Sequence, residues 1–379
     1  MSVPRIVIAG DLYPGVLSSP LLQAGDAGAV FGDLMPDLQR ADLRIVNLEG
    51  PLVSRPDPLP KIGPHHAIDE KCIKGLKAAG FDVLNVGNNH SMDQGESGLR
   101  NTLKSIGDAG LAAVGGGENL NAAGEVLVRR VGDVRVGILS YTEHEFGIAS
   151  ATRPGTNPLD LVHFIRTVES RRDAWDYLVV LLHGGNEYYP YPRPQLREWC
   201  RLMLERGARA VVLQHSHCPG CIEEHAGGYI VHGQGNFVFD ERSARPCEQE
   251  GFLVILDIPD PARHSLTYVP FSLPQRTPGP RRMTGDAEQS FRTALDARSK
   301  EIQEPGAVER RWEEFCAGNT DRYLSLIHGY PRRIREWDMK FHFLRRFYNK
   351  RRMLMLLHLL RCESHRELLV NLLSRETRS

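Results

Sequence analysis

Five short apolar runs each end on side chains that can bind a cation or carry a proton. RIVIAG runs into Asp11, LRIVNLE ends on Asn47 and Glu49, FDVLNVG leads to Asn88, Asn89 and His90, YLVVLL to His183, and ARAVVLQ to His215 and His217. Carboxylate, amide and imidazole donors of this kind suit a divalent cation, with Mn, Zn, Fe, Ca and Mg all compatible. A single Asp or Asn after a strand is ordinarily a turn former, and a single His is ordinarily a satisfied hydrogen-bonding group. Five such endings in order point instead to one shared metal site. In QHSHCPG, alternate residues of an extended segment face the same way, and a bend at the strand end aims both imidazoles at one place.

The adjoining loops carry further candidates. Arg193, after His183, and Arg153, after Tyr141-Thr142, are of the type that pairs with a substrate carboxylate or phosphate, although surface arginines are common. Glu187, Tyr188 and Tyr189 of HGGNEYYP are expected to line a cleft. Glu143 and His144 of YTEHEF are candidate acid/base groups, and Asn236 of GQGNF reads as a support for the loops. Cys218 and Cys221 have the spacing of a redox pair or half a zinc site. With no second cysteine pair nearby, they read as structural.

The runs that must position these groups are rich in Val, Ile and Leu and do not alternate strictly, as strands buried on both faces do not. Amphipathic helices are expected between them, over residues 69–79, 159–174 and 194–206, with Gly80 and Gly207 closing the first and last. Gly132-Asp133 between two alternating segments reads as a hairpin. Residues 1–275 therefore form an α/β sandwich of mixed strand direction. After the proline-rich stretch 273–282, residues 276–379 read as a helical extension, broken near Pro305 and Pro331.

Among the 379 residues, 41% are hydrophobic and 47 Lys+Arg balance 47 Asp+Glu, an ordinary globular balance that argues against nucleic acid as the main partner. The apolar stretch of MSVPRIVIAGD is too short for a signal peptide, and no apolar run reaches the roughly 18 residues of a membrane span. A cytoplasmic location is expected, with the seven cysteines reduced. Residues 331–353 are strongly basic with interleaved aromatics. Such a helix either packs its apolar stripe and leaves its arginines in solvent or makes weak contact with an anionic membrane surface.

The order Gly10-Asp11, NLEGPL, NVGNNHSMDQG, HGGNEYYPYPRPQ, HSHCPG and HGQGNFVFDE resembles the CapA-like family of capsule and poly-γ-glutamate synthesis, a branch of the calcineurin-like metallophosphoesterase fold. The resemblance implies a four-layer α/β/β/α sandwich over residues 4–275. By the same resemblance Asn89, His183 and His215 would hold one metal, Asp11 and His217 another, with Glu49 bridging. His90 would be a general acid oriented by Asp93. Two departures stand out: Tyr13 occupies the histidine position of the usual Asp-x-His, and Glu49 replaces the usual bridging aspartate. One or two metals per chain are therefore expected. The implied activity is hydrolysis or transfer at a phosphoester or peptide-like bond, on a peptide or anionic polymer. The alternatives are a peptide epimerase using His90 with Asp93 and His217 with Asp11 as two acid/base pairs, and a scaffold in polymer assembly.

Overall fold

A computed structural model describes residues 3–240, 245–327, 332–341 and 349–376. One sheet runs, edge to edge, through Arg281–Arg282, Arg263–Ser272, Glu250–Asp260, Arg5–Tyr13, Leu43–Leu48, Val83–Asn85 and Ala112–Val114, with Asn236–Phe239 also pairing along the end of Arg5–Tyr13. The second runs through Ile222–His225, Gly228–Val231, Ala210–Gln214, Tyr177–His183, Val134–Thr142 and Leu127–Val131. The strands that carry the candidate residues run parallel to one another, whereas Glu250–Asp260 pairs antiparallel with Arg5–Tyr13 and the outer strands of both sheets add further antiparallel pairs. The expected hairpin forms, with Val131 opposite Val134.

Successive strand residues face opposite ways, so one strand supplies two cores. Ile6 and Ile8 meet Val179, Leu181 and Val212 between the sheets. Val7 and Ala9 instead face Leu22, Val30, Phe31, Leu34 and Leu76 on helical segments outside the first sheet. On the second sheet, Val180 and Leu182 pack on Phe164 and Val168 of helix Leu161–Ser170, and on Leu196, Cys200 and Met203 of helix Pro194–Glu205. Three apolar interfaces separate four layers, α/β/β/α. Each fully buried Val, Leu or Ile contributes on the order of 1.5–3 kcal/mol.

The compact unit does not stop at 275. It extends to Arg310, and residues 311–379 form a second unit. The proline-rich stretch does not act as a linker, because Arg281 and Arg282 return as an edge strand against Ser272 and Phe271. Helix Gly285–Glu301 then buries Phe291 and Leu295 in the core between the sheets, and Arg298 Nε donates to the Gly220 carbonyl at 3.0 Å. The second unit contains helices Thr320–Ile327, Arg332–Phe341, Lys350–Arg361 and Glu363–Glu376. Part of the basic stretch 331–353, including Pro331 and residues 342–348, lies outside the described residues. Among the described residues no helix is long and apolar enough to cross a membrane.

Candidate metal centre

The carboxyl ends of strands from both sheets converge. Asn47 Nδ2 donates to Asp11 Oδ1 at 2.7 Å and faces His183 Nδ1 at 3.2 Å, and the His215 backbone N–H donates to Asp11 Oδ2 at 3.1 Å. Asp11 reaches this point because its strand shifts register there against both neighbours. Gly10 permits the approach: a Cβ at that position would lie 2.2 Å from the Gly235 carbonyl oxygen.

His183 Nε2 lies 2.9 Å from Asn89 Oδ1, 3.2 Å from His215 Nδ1 and 3.7 Å from Glu49 Oε1. Glu49 Oε1 is also 3.8 Å from His217 Nε2, so this carboxylate sits between the two imidazoles. His215 and His217 hold φ of 99° and 53°, a left-handed region that costs a non-glycine residue on the order of 1–3 kcal/mol. This is the bend that brings both rings of His-x-His to one site, 6.0 Å apart.

Burial, followed by the charge of His215, His217, His90 and His66, pulls the His183 imidazole well below its ordinary range. The His215 ring is lowered by burial and by His217, against the opposing pull of Glu187, Asp11 and Glu143. Both therefore stay neutral at neutral pH and keep a lone pair. Asn89 Oδ1, His183 Nε2 and His215 Nδ1 thus meet as three donor atoms that need a shared proton or a cation among them, which fits a metal site. Glu49, His215 and His217 form a second candidate grouping.

Beside this cluster is an acid/base pair. His90 Nδ1 lies 2.7 Å from Asp93 Oδ2, which also accepts the His66 backbone N–H at 2.6 Å, while Lys61 Nζ lies 2.6 Å from Oδ1. Burial alone would raise the Asp93 carboxyl. The hydrogen bonds from His90, Lys61 and His66 outweigh it and hold the group below the usual carboxylate range. His66 is sandwiched between the rings of Tyr13 and His90, with centroids 3.9 and 3.8 Å away. Its Nδ1 donates to the Glu49 carbonyl at 2.9 Å, yet burial and then His90 push its pKa down to about 3.

The family model described as "Bacterial capsule synthesis protein PGA_cap" matches residues 5–241, more than half of the chain and all of the strands that carry these groups. The chain belongs to this family. It is 28% identical over 304 residues to the capsule biosynthesis protein CapA of Bacillus anthracis, covering 78% of this chain and 74% of that protein. It is likewise 28% identical over 275 residues to the PGA biosynthesis protein CapA of Bacillus subtilis, covering 72% of each. Among solved structures, a hypothetical protein from Thermus thermophilus aligns with 71% of this chain and all of its own, at 17% identity and a TM-score of 0.46. A 5'-nucleotidase from Candida albicans aligns with 84% of this chain and 58% of its own at 12% identity, with a TM-score of 0.38.

In this capsule-synthesis family member, Asp11, Glu49, Asn89, His183, His215 and His217 are thus neighbours, and His90 with Asp93 is a formed pair. His217 and Asp11, the other expected pair, lie within ion-pair distance but are not hydrogen-bonded to one another. Their closest approach is 3.6 Å, and His217 Nδ1 is instead 2.8 Å from Asn236 Oδ1. Asn236, the first residue of strand Asn236–Phe239, holds the His217 ring. Arg193 does not face the cluster as an open substrate clamp: its guanidinium is bonded to Glu143, which also accepts the Gly185 N–H at 3.2 Å. Arg153 is exposed, and its backbone closes a turn with Ser150. Tyr188 approaches the His217 ring at 6.2 Å, while Glu187 in the same loop is exposed. Lys61 and His66 escape sequence reading, since both sit in the proline-rich segment 56–66, which ends no strand. The adjacency of His65 and His66 was the only local signal.

Proposed function

We propose that this chain is a divalent-cation-dependent enzyme that hydrolyses or transfers at a phosphoester or peptide-like bond during synthesis of an anionic polymer or peptide. The observation that carries the reading is the buried His90–Asp93 pair, 2.7 Å across, next in sequence to the cation donor Asn89. A cation held by Asn89, His183 and His215, with Glu49 between them and His217, would polarise the scissile bond and acidify a bound water. Asp93, fixed as a carboxylate by Lys61 and the His66 N–H, accepts from His90 Nδ1 and sets the ring so that Nε2 exchanges a proton with the leaving group.

The names of the two Bacillus relatives, capsule and PGA biosynthesis, support an anionic polymer as the substrate class. A cavity of about 270 Å³ beside Asn236 has Tyr188 and Arg245 in its wall, with the Arg245 guanidinium 3.9 Å over the Tyr188 ring. The charged lining is mixed, with Arg245 paired to Glu248 at 3.4 Å and Asp240 on the same wall. Inversion at a Cα calls for two dyads and is not favoured by a site with one. A scaffold has no use for two strained histidines and a buried carboxylate, which supports chemistry over assembly alone.

The test is turnover of a chromogenic phosphodiester and of a γ-glutamyl peptide by the purified chain with Mn(II), compared with His90→Gln. The variant is expected to lose on the order of 10²–10⁴-fold in rate while keeping its bound cation. Equal turnover by both proteins would remove His90 from the chemistry, and no turnover of either bond by the parent would favour the scaffold.

A further inference from the structure

Strand Val134–Thr142 alternates between two cores, and its last residue falls on the inner face. Val136 and Ile138 lie between the sheets, whereas Leu139 and Tyr141 face the helices. The same alternation points Ser140 and Thr142 inward. Ser140 Oγ bears this out by donating to Asn85 Oδ1 of the first sheet at 2.6 Å. In the parallel pairing with Tyr177–His183, Thr142 stands opposite His183, and Val179 and Leu181 before it on that strand are also between the sheets. Thr142 and His183 thus project side by side at the level of the cation donors.

Thr142 lines a narrow cavity with Asn89, Glu143, Glu145, His183 and His215. Other polar groups of this wall are engaged. Glu143 holds Arg193 and the Gly185 N–H, and Asn89 Nδ2 donates to Glu145 Oε2 at 3.4 Å, which leaves Asn89 Oδ1 toward His183. The Thr142 hydroxyl differs. It is 1% exposed and has no hydrogen-bond partner among the described residues. Its backbone is fixed on both sides, the N–H donating to the Asn157 carbonyl at 2.9 Å and the carbonyl accepting the Leu159 N–H at 2.8 Å. A buried hydroxyl carries one donor and two acceptor lone pairs, and leaving them unused costs free energy.

We propose that Thr142 Oγ1 is a further ligand atom of the cation centre, joining Asn89 Oδ1, His183 Nε2 and His215 Nδ1. The cavity is too narrow to seat a water molecule, so the hydroxyl meets the ion itself and not its hydration shell. A hydroxyl lone pair is a hard, neutral oxygen donor. Added to the Asn89 amide oxygen, it sets two oxygens against two imidazoles and shifts the preference of the site toward Mn(II) relative to an imidazole-dominated set, which suits Zn(II). The inference rests on the cation reading of Asn89, His183 and His215, but not on which bond the centre acts on.

The test is calorimetric titration of the full chain, of Thr142→Val and of Thr142→Ser with Mn(II) and with Zn(II), beside thermal melts with and without Mn(II). Thr142→Val keeps the shape and removes the hydroxyl, and should weaken Mn(II) binding by on the order of 10–100-fold and Zn(II) binding by less. Thr142→Ser keeps the hydroxyl and should stay close to the parent. Without cation, Thr142→Val should melt no lower than the parent, since it loses an unpartnered buried hydroxyl; with Mn(II), its melting temperature should rise less. Parent-like binding of both ions by Thr142→Val, or an equal loss in Thr142→Ser, would overturn the proposal. If Thr142→Val does not fold, crystals of the parent chain grown with Mn(II) decide by anomalous scattering. An ion within about 2.6 Å of Thr142 Oγ1 supports the assignment, and an ion bonded to His183 but not to Thr142 overturns it. A parent chain that binds neither ion removes the cation reading itself, and the proposal with it.

Discussion

Tyr13 lies flat on His66, with ring planes 12° apart and centroids 3.9 Å distant. A stacking residue thus takes the position that a dinuclear site of the resembling fold fills with a ligand histidine. Its effect passes through His66 to the next ring, His90. Tyr13→Ala is expected to destabilise the chain by about 1–3 kcal/mol, through lost stacking and burial. Urea denaturation measures this, and an unchanged midpoint would mean that the stack contributes nothing.

Cation binding should depend more on Asn89, His183 and His215 than on Asp11, because His183 Nε2 lies within 3.2 Å of both Asn89 Oδ1 and His215 Nδ1 while Asp11 is engaged by Asn47 and the His215 backbone. His183→Ala should abolish tight binding. Asn47→Ala, which removes the partner of His183 Nδ1, should weaken it by about 10–100-fold. Titration calorimetry with Mn(II) and elemental analysis give the ranking. If Asp11→Ala loses all bound cation while Asn89→Ala retains it, the assignment is wrong.

A second buried charge cluster centres on Glu223. Glu223 accepts Arg197 at 2.9 Å, Arg201 at 2.5 Å and His232 at 3.1 Å. Glu223→Gln would leave two arginines without their carboxylate, a loss of about 3–5 kcal/mol. Chemical denaturation of Glu223→Gln beside Glu223→Ala tests this, and a change under about 1 kcal/mol in both would show that the arginines find water instead.

The same cluster sets a pH dependence. Burial alone would raise Glu223, but its bonds with His232 and the arginines hold it far below its ordinary range, while burial pulls His232 down as well. In both cases the unfolded chain binds protons that the native chain does not. Stability is therefore lost as pH falls, through His232 from about pH 6.5 and through Glu223 below about pH 4.5. Each group steepens the loss by on the order of 1.4 kcal/mol per pH unit. Glu223→Gln should flatten the acid limb of the stability profile below about pH 4.5, and an identical limb in parent and variant would contradict this.

The convergence of these side chains was legible because each follows an apolar run, and buried parallel strands advertise their ends. The two-faced burial of those runs likewise announced the sandwich. What stayed hidden depends on pairings between distant segments. Lys61 and His66 are placed by a proline-rich loop that docks on Asp93, with the Leu59 N–H on the Asp93 carbonyl at 2.8 Å, and no periodicity records such a docking. Arg193 read as a substrate clamp because nothing local reveals Glu143 opposite it. Cys218 and Cys221 have a suggestive spacing, yet the turn between them sends the two thiols into different surroundings.

The edge strand Arg281–Arg282 and the helix after it also decide how short this chain can be made. The family match ends at residue 241, but Glu250–Asp260 lies directly beside Arg5–Tyr13 in the sheet, and Phe252 and Tyr268 meet Phe291 beyond it. A chain stopped at 241 would strip the neighbour from the strand that bears Asp11. One stopped at 275 would uncover the apolar seam that Phe291 and Leu295 close. Recombinant fragments of this protein that aim to keep the cation site should therefore run to about residue 310.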